Sequence, residues 1–218
     1  MRIAQRKESP IIGLTGMGGG LTSYILYGGS GSSVYEISRA LRFNDDESTR
    51  LFRYVSTGGN RRTFTISFWT KRGNLGIDGN IFNASSNPGA SDSTAERTEF
   101  RFNPTNDQIK FAVNPTGSSW ITLETVAEFK DPFAWYHVVV SVDTTQATET
   151  NRVKIYVNGE QQALTGTYIG QDVETPYMKA GNSMSIGSYT NNNNAFYDGY
   201  LADFQVIDGQ ALDESSFG

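Results

Sequence analysis

The chain has 218 residues, with 18 lysines and arginines against 23 aspartates and glutamates, one histidine and no cysteine. A formal net charge of −5 without a basic patch excludes electrostatic binding to nucleic acid and disfavours an anionic membrane surface. Without cysteine there is neither a disulfide framework nor a thiolate metal site, and a lone histidine excludes a multi-histidine zinc centre within one chain.

The stretch from Ile11 to Tyr35 contains no charged residue. Arg2, Arg6 and Lys7 precede it, as in an export signal. However, Gly13, Gly16, Gly18, Gly19 and Gly20 break the continuous apolar run of roughly 7–15 residues that such a signal needs. The same dilution argues against a transmembrane helix of about 20 apolar residues, so membrane insertion is not expected. Eight of the first 33 residues are glycine, and ordering backbone costs about 1–2 kcal/mol per residue. The segment cannot build a core alone, yet Ile11, Ile12, Leu14, Leu21, Tyr24, Ile25, Leu26 and Tyr27 offer apolar anchors that would be a solubility hazard if left bare. Residues 1–36 are therefore expected to be an assembly arm laid on a sister subunit or a different protein. In it "TSYILY" would add a strand to an exposed sheet edge, Tyr24 and Leu26 pointing one way and Ile25 and Tyr27 the other. The plainer alternatives are a mobile linker or an arm packed back on its own domain.

The remainder, 37–218, reads as one β domain. In "TFTISFW", Phe64, Ile66 and Phe68 share one face and Thr65 and Ser67 the other, the period of a half-buried strand. "FRF" (Phe100 to Phe102) and "IKFAV" (Ile109 to Val113) flank the turn cluster "NPTND" and predict a hairpin. "WYHVVVSV" (Trp135 to Val142) is nearly all apolar, as expected of a strand central in its sheet. "RVKIYV" puts Val153, Ile155 and Val157 inside and Lys154 and Tyr156 outside. Asn158-Gly159 then predicts a tight type I′ hairpin into "EQQAL". "SMSIGSY" and "YLADFQVI" supply two more strands, and "QALDESSF" at most a short turn of helix. Many short strands with regular turn signals predict a sandwich or barrel.

Three elements in order, "AWYHVVVSVD", "NRVKIYVNGE" and "FYDGYLADFQVIDGQAL", resemble the laminin-G-like branch of the concanavalin A-like lectin/glucanase superfamily. The matching positions are Trp135 and His137, Asn158 and Gly159, and Asp198 and Gly199, with "LRFN" (Leu41 to Asn44) similar to the family's opening strand. The resemblance implies an all-β, jelly-roll β-sandwich over residues 37–218, preceded by the extended arm. The phrase "DGYLADFQVIDGQALDESSFG" is also similar to concanavalin A-like domains in virion proteins of marine and cyanobacterial tailed phages. That similarity implies a structural virion component: a tail fibre or fibre-base protein first, a capsid decoration protein next. It would be assembled in the host cytoplasm and contact other virion proteins or sister subunits, as a homo-oligomer that includes the trimer among its forms. The chain would end at Gly218 as a small structural protein, or continue as a longer fibre.

Glucanases of this superfamily carry Glu-x-Asp-x-x-Glu on one strand, so that two carboxylates flank one glycosidic bond. Neither "NDDES" nor "AERTEF" has that spacing, and no enzyme activity is expected. His137 is expected to fill an inward position and to bond to backbone or a neighbouring carboxylate. Laminin-G-like domains often bind calcium. Asp92, Asp143, Asp172 and Asp198 are the available oxygen donors, but Asp143 and Asp198 fit equally as turn-shaping residues, and no metal or other cofactor is expected. A lectin-like role is the alternative function. Trp120 after "GSS", and Tyr189 and Tyr197 around Asn192 and Asn193, provide aromatic faces and paired amides suited to a host surface glycan.

Overall fold

A computed structural model of the chain describes residues 37–86, 95–189 and 195–217. The expected arm with its eight anchors, and Asn192, Asn193 and Asp92, lie outside the described residues.

In chain order the strands are β1 (Leu41–Phe43), β2 (Leu51–Tyr54), β3 (Thr63–Arg72), β4 (Asn80–Ser85), β5 (Arg97–Phe102), β6 (Gln108–Asn114), β7 (Ile121–Glu128), β8 (Tyr136–Asp143), β9 (Val153–Val157), β10 (Glu160–Gln161), β11 (Leu164–Gly166), β12 (Ser183–Ile186) and β13 (Gly199–Asp208). They form two antiparallel sheets, a six-stranded one in the order β1-β13-β3-β8-β9-β10 and a seven-stranded one in the order β11-β7-β6-β5-β4-β12-β2. The architecture is an all-β jelly-roll sandwich. The expected β5–β6 hairpin pairs Phe100 with Phe111. Asn158 and Gly159 take φ of 52° and 84°, the left-handed geometry the β9–β10 turn requires.

The alternating residues meet between the sheets. Phe64, Ile66 and Phe68 of β3 and Val138, Val140 and Val142 of β8 face Phe82, Phe100, Phe111 and Leu123 of the other sheet, all buried in one cluster. Phe68 stands edge-on to Phe100 across the layer, ring centroids 5.6 Å apart. β8 is mostly apolar, and its outward residues are covered too. Val139 and Tyr156 pack under Phe217, Leu212 and Ile207 at the chain's end, where Glu214–Phe217 makes the expected helical turn in 3-10 form. Two expectations change here. His137 is buried, but on the outer face of its sheet, stacked on Trp69 with its Nε2 3.0 Å from the Ser67 hydroxyl. Tyr156 points outward yet is only 8% exposed. A returning C-terminal segment, invisible to strand periodicity, accounts for both.

Asp198-Gly199 leads into β13 beside the edge strand β1 of the six-stranded sheet. Arg42 of β1 bridges to Asp198 at 2.5 Å. Gly199 takes φ +150°, and a Cβ there would lie 2.4 Å from the Lys71 carbonyl oxygen. Gly199→Ala is expected to lower the unfolding free energy by about 2–3 kcal/mol, read from urea denaturation. A loss below about 0.5 kcal/mol would show that the close approach carries no strain.

Candidate functional site

The outward row of the seven-stranded sheet is where polar chemistry gathers. Strand alternation sends Phe100 inward and therefore Arg97, Glu99 and Arg101 of β5 outward. Arg97 registers with Ser85 and Asn114, Glu99 with Asn83 and Ala112, and Arg101 with Lys110. On β7, Thr122 registers with Ala112 and Glu124 with Lys110. Trp120 immediately precedes β7, two positions before Thr122, so Trp120, Thr122 and Glu124 follow one another on this face.

Arg97 organises the rim. Its guanidinium carbon lies 5.6 Å from the Trp120 ring and 5.0 Å from the Tyr189 ring, a cation–π arrangement with both aromatics. Below it, Glu99 is 3% exposed and lies between two cations, with Arg97 Nη1 at 3.7 Å and Arg101 Nε at 3.5 Å. Arg101 also pairs with Asp78. Lys110 and Glu124 form a half-buried pair at 3.8 Å, and Asn103 Nδ2 donates to Glu124 Oε1 at 3.0 Å. The buried hydroxyl of Ser183 and the buried amide of Asn80 have no hydrogen-bond partner among the described residues. Unmet polar groups of this kind are costly unless water or a ligand meets them.

Burial raises the Glu99 pKa above its ordinary 4.5, against the opposing pull of Arg101 and Arg97. Burial likewise raises the Tyr189 hydroxyl, with Glu99 adding to it. The folded state therefore binds the Glu99 proton more tightly than the unfolded chain, so Glu99's share of stability falls as pH rises from 4.5 to the folded value. Glu99→Gln is expected to abolish that fall. The difference between variant and parent unfolding free energies should grow with pH across this window and then level off, as read from urea titrations at successive pH. Parallel curves would mean that Glu99 ionises as in a peptide.

Of the aromatic residues expected to line a glycan site, Trp120 is 40% exposed and Tyr189 only 8%, and Arg97 brings the two together. Tyr197 is placed elsewhere. It is 2% exposed, inside the core, with its hydroxyl 2.6 Å from Thr70 Oγ1 and donating to the Lys71 carbonyl. It braces the Asp198-Gly199 turn and offers no face to a ligand. The Arg-x-Glu-x-Arg spacing of β5 was the readable signal for this face, since period two places all three on one side.

Of the acidic residues weighed for calcium, the three that are described, Asp143, Asp172 and Asp198, are engaged in other contacts. Asp143 accepts from Thr145 N and Oγ1 and from Gln146 Nε2 at 3.1, 2.6 and 2.7 Å, which shapes a turn. Asp198 pairs with Arg42, and Asp172 lies 3.9 Å from Arg62. Among the described residues no group of three potential metal-ligating side chains occurs, and no helix is long and apolar enough to cross a membrane.

Two facing antiparallel sheets define the class of jelly-roll sandwiches, here with a polar outer face on the seven-stranded sheet that is largely buried and reaches solvent at Trp120. The family pattern described as the concanavalin A-like lectin/glucanases superfamily matches residues 38–215, and the chain belongs to that family. Among solved structures it is similar to a heptameric SAP-like pentraxin from Limulus polyphemus, at 20% identity and TM-score 0.50, over 74% of this chain and 70% of that one. It is similar to domain 4 of the extracellular arabinanase AbnA from Geobacillus stearothermophilus, in complex with arabinotriose, at 18% identity and TM-score 0.54, over 84% and 78%. It is also similar to the CBM40 of the Ruminococcus gnavus IT-sialidase, at 14% identity and TM-score 0.52, over 78% and 96%. These likenesses are of fold. No curated protein matches the chain.

Proposed function

We propose that this protein is a non-enzymatic carbohydrate-binding module that takes a neutral oligosaccharide on the outer face of its seven-stranded sheet. The observation that carries this reading is the row Trp120, Thr122, Glu124. The half-exposed indole offers a surface for a sugar ring, and the hydroxyl and carboxylate beyond it suit the next residue's hydroxyl groups. The charges of Arg97, Arg101 and Lys110 are matched by Glu99, Glu124 and Asp78, which favours an uncharged ligand over an acidic one. Glu99, held between two arginines and shut from solvent, is unsuited to proton transfer to a glycosidic oxygen, so no hydrolysis is expected. That similar folds include one solved with arabinotriose supports the sugar reading.

The test is a glycan panel probed with the full chain. Trp120→Ala is expected to weaken the best binder about tenfold to hundredfold, the value of about 1.5–3 kcal/mol of buried indole contact. Stability should change by less than about 1 kcal/mol, because the side chain is already 40% exposed. Unchanged affinity would remove the site.

The second reading concerns the carrier. The similarity of Asp198 to Gly218 to phage virion sequences supports a tail fibre or fibre-base protein, with a capsid decoration protein as the alternative. There the sandwich would face a host surface glycan, and the arm would serve attachment or oligomerisation. Peptides of this chain in purified particles of a phage that encodes it are the expected result, and their absence from particles would overturn it.

A further inference from the structure

Among the described residues one flank of the sandwich is open. There the edge strands β1 and β2 bond only to β13 and β12 respectively, and no described strand joins them. Between them lies a cavity of about 520 Å³ lined by Leu41, Leu51, Ile186, Leu201 and Phe204. Sharing Leu51 and Ile186 with it is a second, of about 260 Å³, that also reaches Phe82, Tyr177, Met184 and Val206. Most of these side chains lie on the inward side of their strands, though Leu41, Leu51 and Val206 remain exposed. The row that runs Phe111, Phe100, Phe82, Ile186 through the core ends at Leu51, which is 48% exposed. Phe52 and Tyr54 on the same strand are 52% and 59% exposed. Tyr177 lines the second cavity, and its buried hydroxyl has no hydrogen-bond partner among the described residues. An exposed apolar edge strand, interior side chains in contact with solvent and an unmet buried hydroxyl together describe a place for one more strand.

We infer that Leu21–Tyr27 of the chain's own arm occupies this groove as an added strand along the free edge of β2. The described chain enters at its mouth, since Ser38, Arg39 and Ala40 line the larger cavity, only ten residues after Tyr27. Gly28, Gly29, Ser30, Gly31, Ser32 and Ser33 supply a linker free to reverse direction. The segment carries no charge and ends in four consecutive bulky residues, Tyr24 to Tyr27, two for each face of a strand. One of the pairs Tyr24/Leu26 or Ile25/Tyr27 fills the groove over Leu51 and Phe204, and the other lies beside Phe52 and Tyr54. Tethering over so short a linker gives a millimolar effective concentration, which a sister subunit at micromolar concentration does not match. Ile11, Ile12 and Leu14 are left for contacts with other proteins. This inference stands independently of the glycan site.

The chain has no cysteine, so an introduced pair reports without background. Full-length protein carrying Ile25→Cys and Tyr54→Cys is treated at micromolar concentration with a short bismaleimide. The product expected is an intrachain link, monomeric by mass, formed in most molecules, while Ile12→Cys with Tyr54→Cys links several-fold less. On the unsubstituted chain, hydrogen exchange should show amides 23–27 protected at least about tenfold over amides 28–33. A link formed only between two chains assigns the groove to a second copy and overturns the inference. Absence of both link and protection overturns it as well.

Discussion

Replacing Asp107 by alanine is expected to remove about 3–5 kcal/mol of unfolding free energy, the usual cost of stranding a buried partner charge. Arg72 ends β3 with its guanidinium 2% exposed. Its Nη2 lies 2.8 Å from Asp107 Oδ1, its Nη1 donates to the Phe129 carbonyl at 2.7 Å, and its charge sits 4.3 Å from the centre of the Phe102 ring. Asp107 itself occupies the β5–β6 turn at φ +58°, where alanine adds roughly 1 kcal/mol of backbone cost. Its carbonyl accepts from the Phe129 amide at 3.0 Å. One ion pair thus fastens a strand of one sheet to a hairpin of the other. Asp107→Asn keeps the turn and should cost about half as much, which separates the backbone share from the ionic one. Chemical denaturation of both variants decides it. A loss under about 1 kcal/mol for the alanine variant would mean that water rescues Arg72 at the edge.

Phe100→Ala is expected to be equally severe, about 3–5 kcal/mol, because the ring is 1% exposed and meets Phe68 of the facing sheet. It also carries a functional consequence. Glu99 and Arg101, its neighbours in sequence, project into the candidate glycan face, so loosening β5 should lower glycan affinity together with stability. Phe100→Leu keeps most of the volume and should recover most of both. Affinity that survives while stability collapses would uncouple the face from the core beneath it. For a domain of typical stability, about 5–15 kcal/mol, either alanine substitution removes a large fraction of the total.

Strands with one clean face were legible in the sequence. β3, β6, β9 and the hairpin turn at Asn158-Gly159 follow directly from alternation and positive-φ chemistry. The missing ones broke the pattern for identifiable reasons. β4 reads "NIFNAS" because its outward Asn83 and Ser85 are buried under a polar face rather than solvated. β2 reads "LFRY" and is exposed along its whole length, being an edge strand that bonds only to β12 among the described residues. Trp120 and Tyr189 were legible as aromatic residues beside turns. Their meeting over Arg97 was not, since Tyr189 arrives from beyond β12, which lies two strands away from β5. Tyr197 misled because an aromatic residue before Asp-Gly marks a turn without saying which way the ring points. His137 misled because burial by a returning C-terminal segment leaves no periodic trace.

The proposed ligand site is the outer face of the seven-stranded sheet at Trp120. The most direct measurement is nuclear magnetic resonance of the isotope-labelled full chain, titrated with the strongest binder from the glycan panel. The largest shifts are expected at the Trp120 indole N–H, the Arg97 side chain and the Thr122 and Lys110 amides, with the β8–β9 side of the molecule unchanged. Shifts concentrated on the six-stranded sheet, or confined to the β1–β2 groove, would contradict this placement of the site.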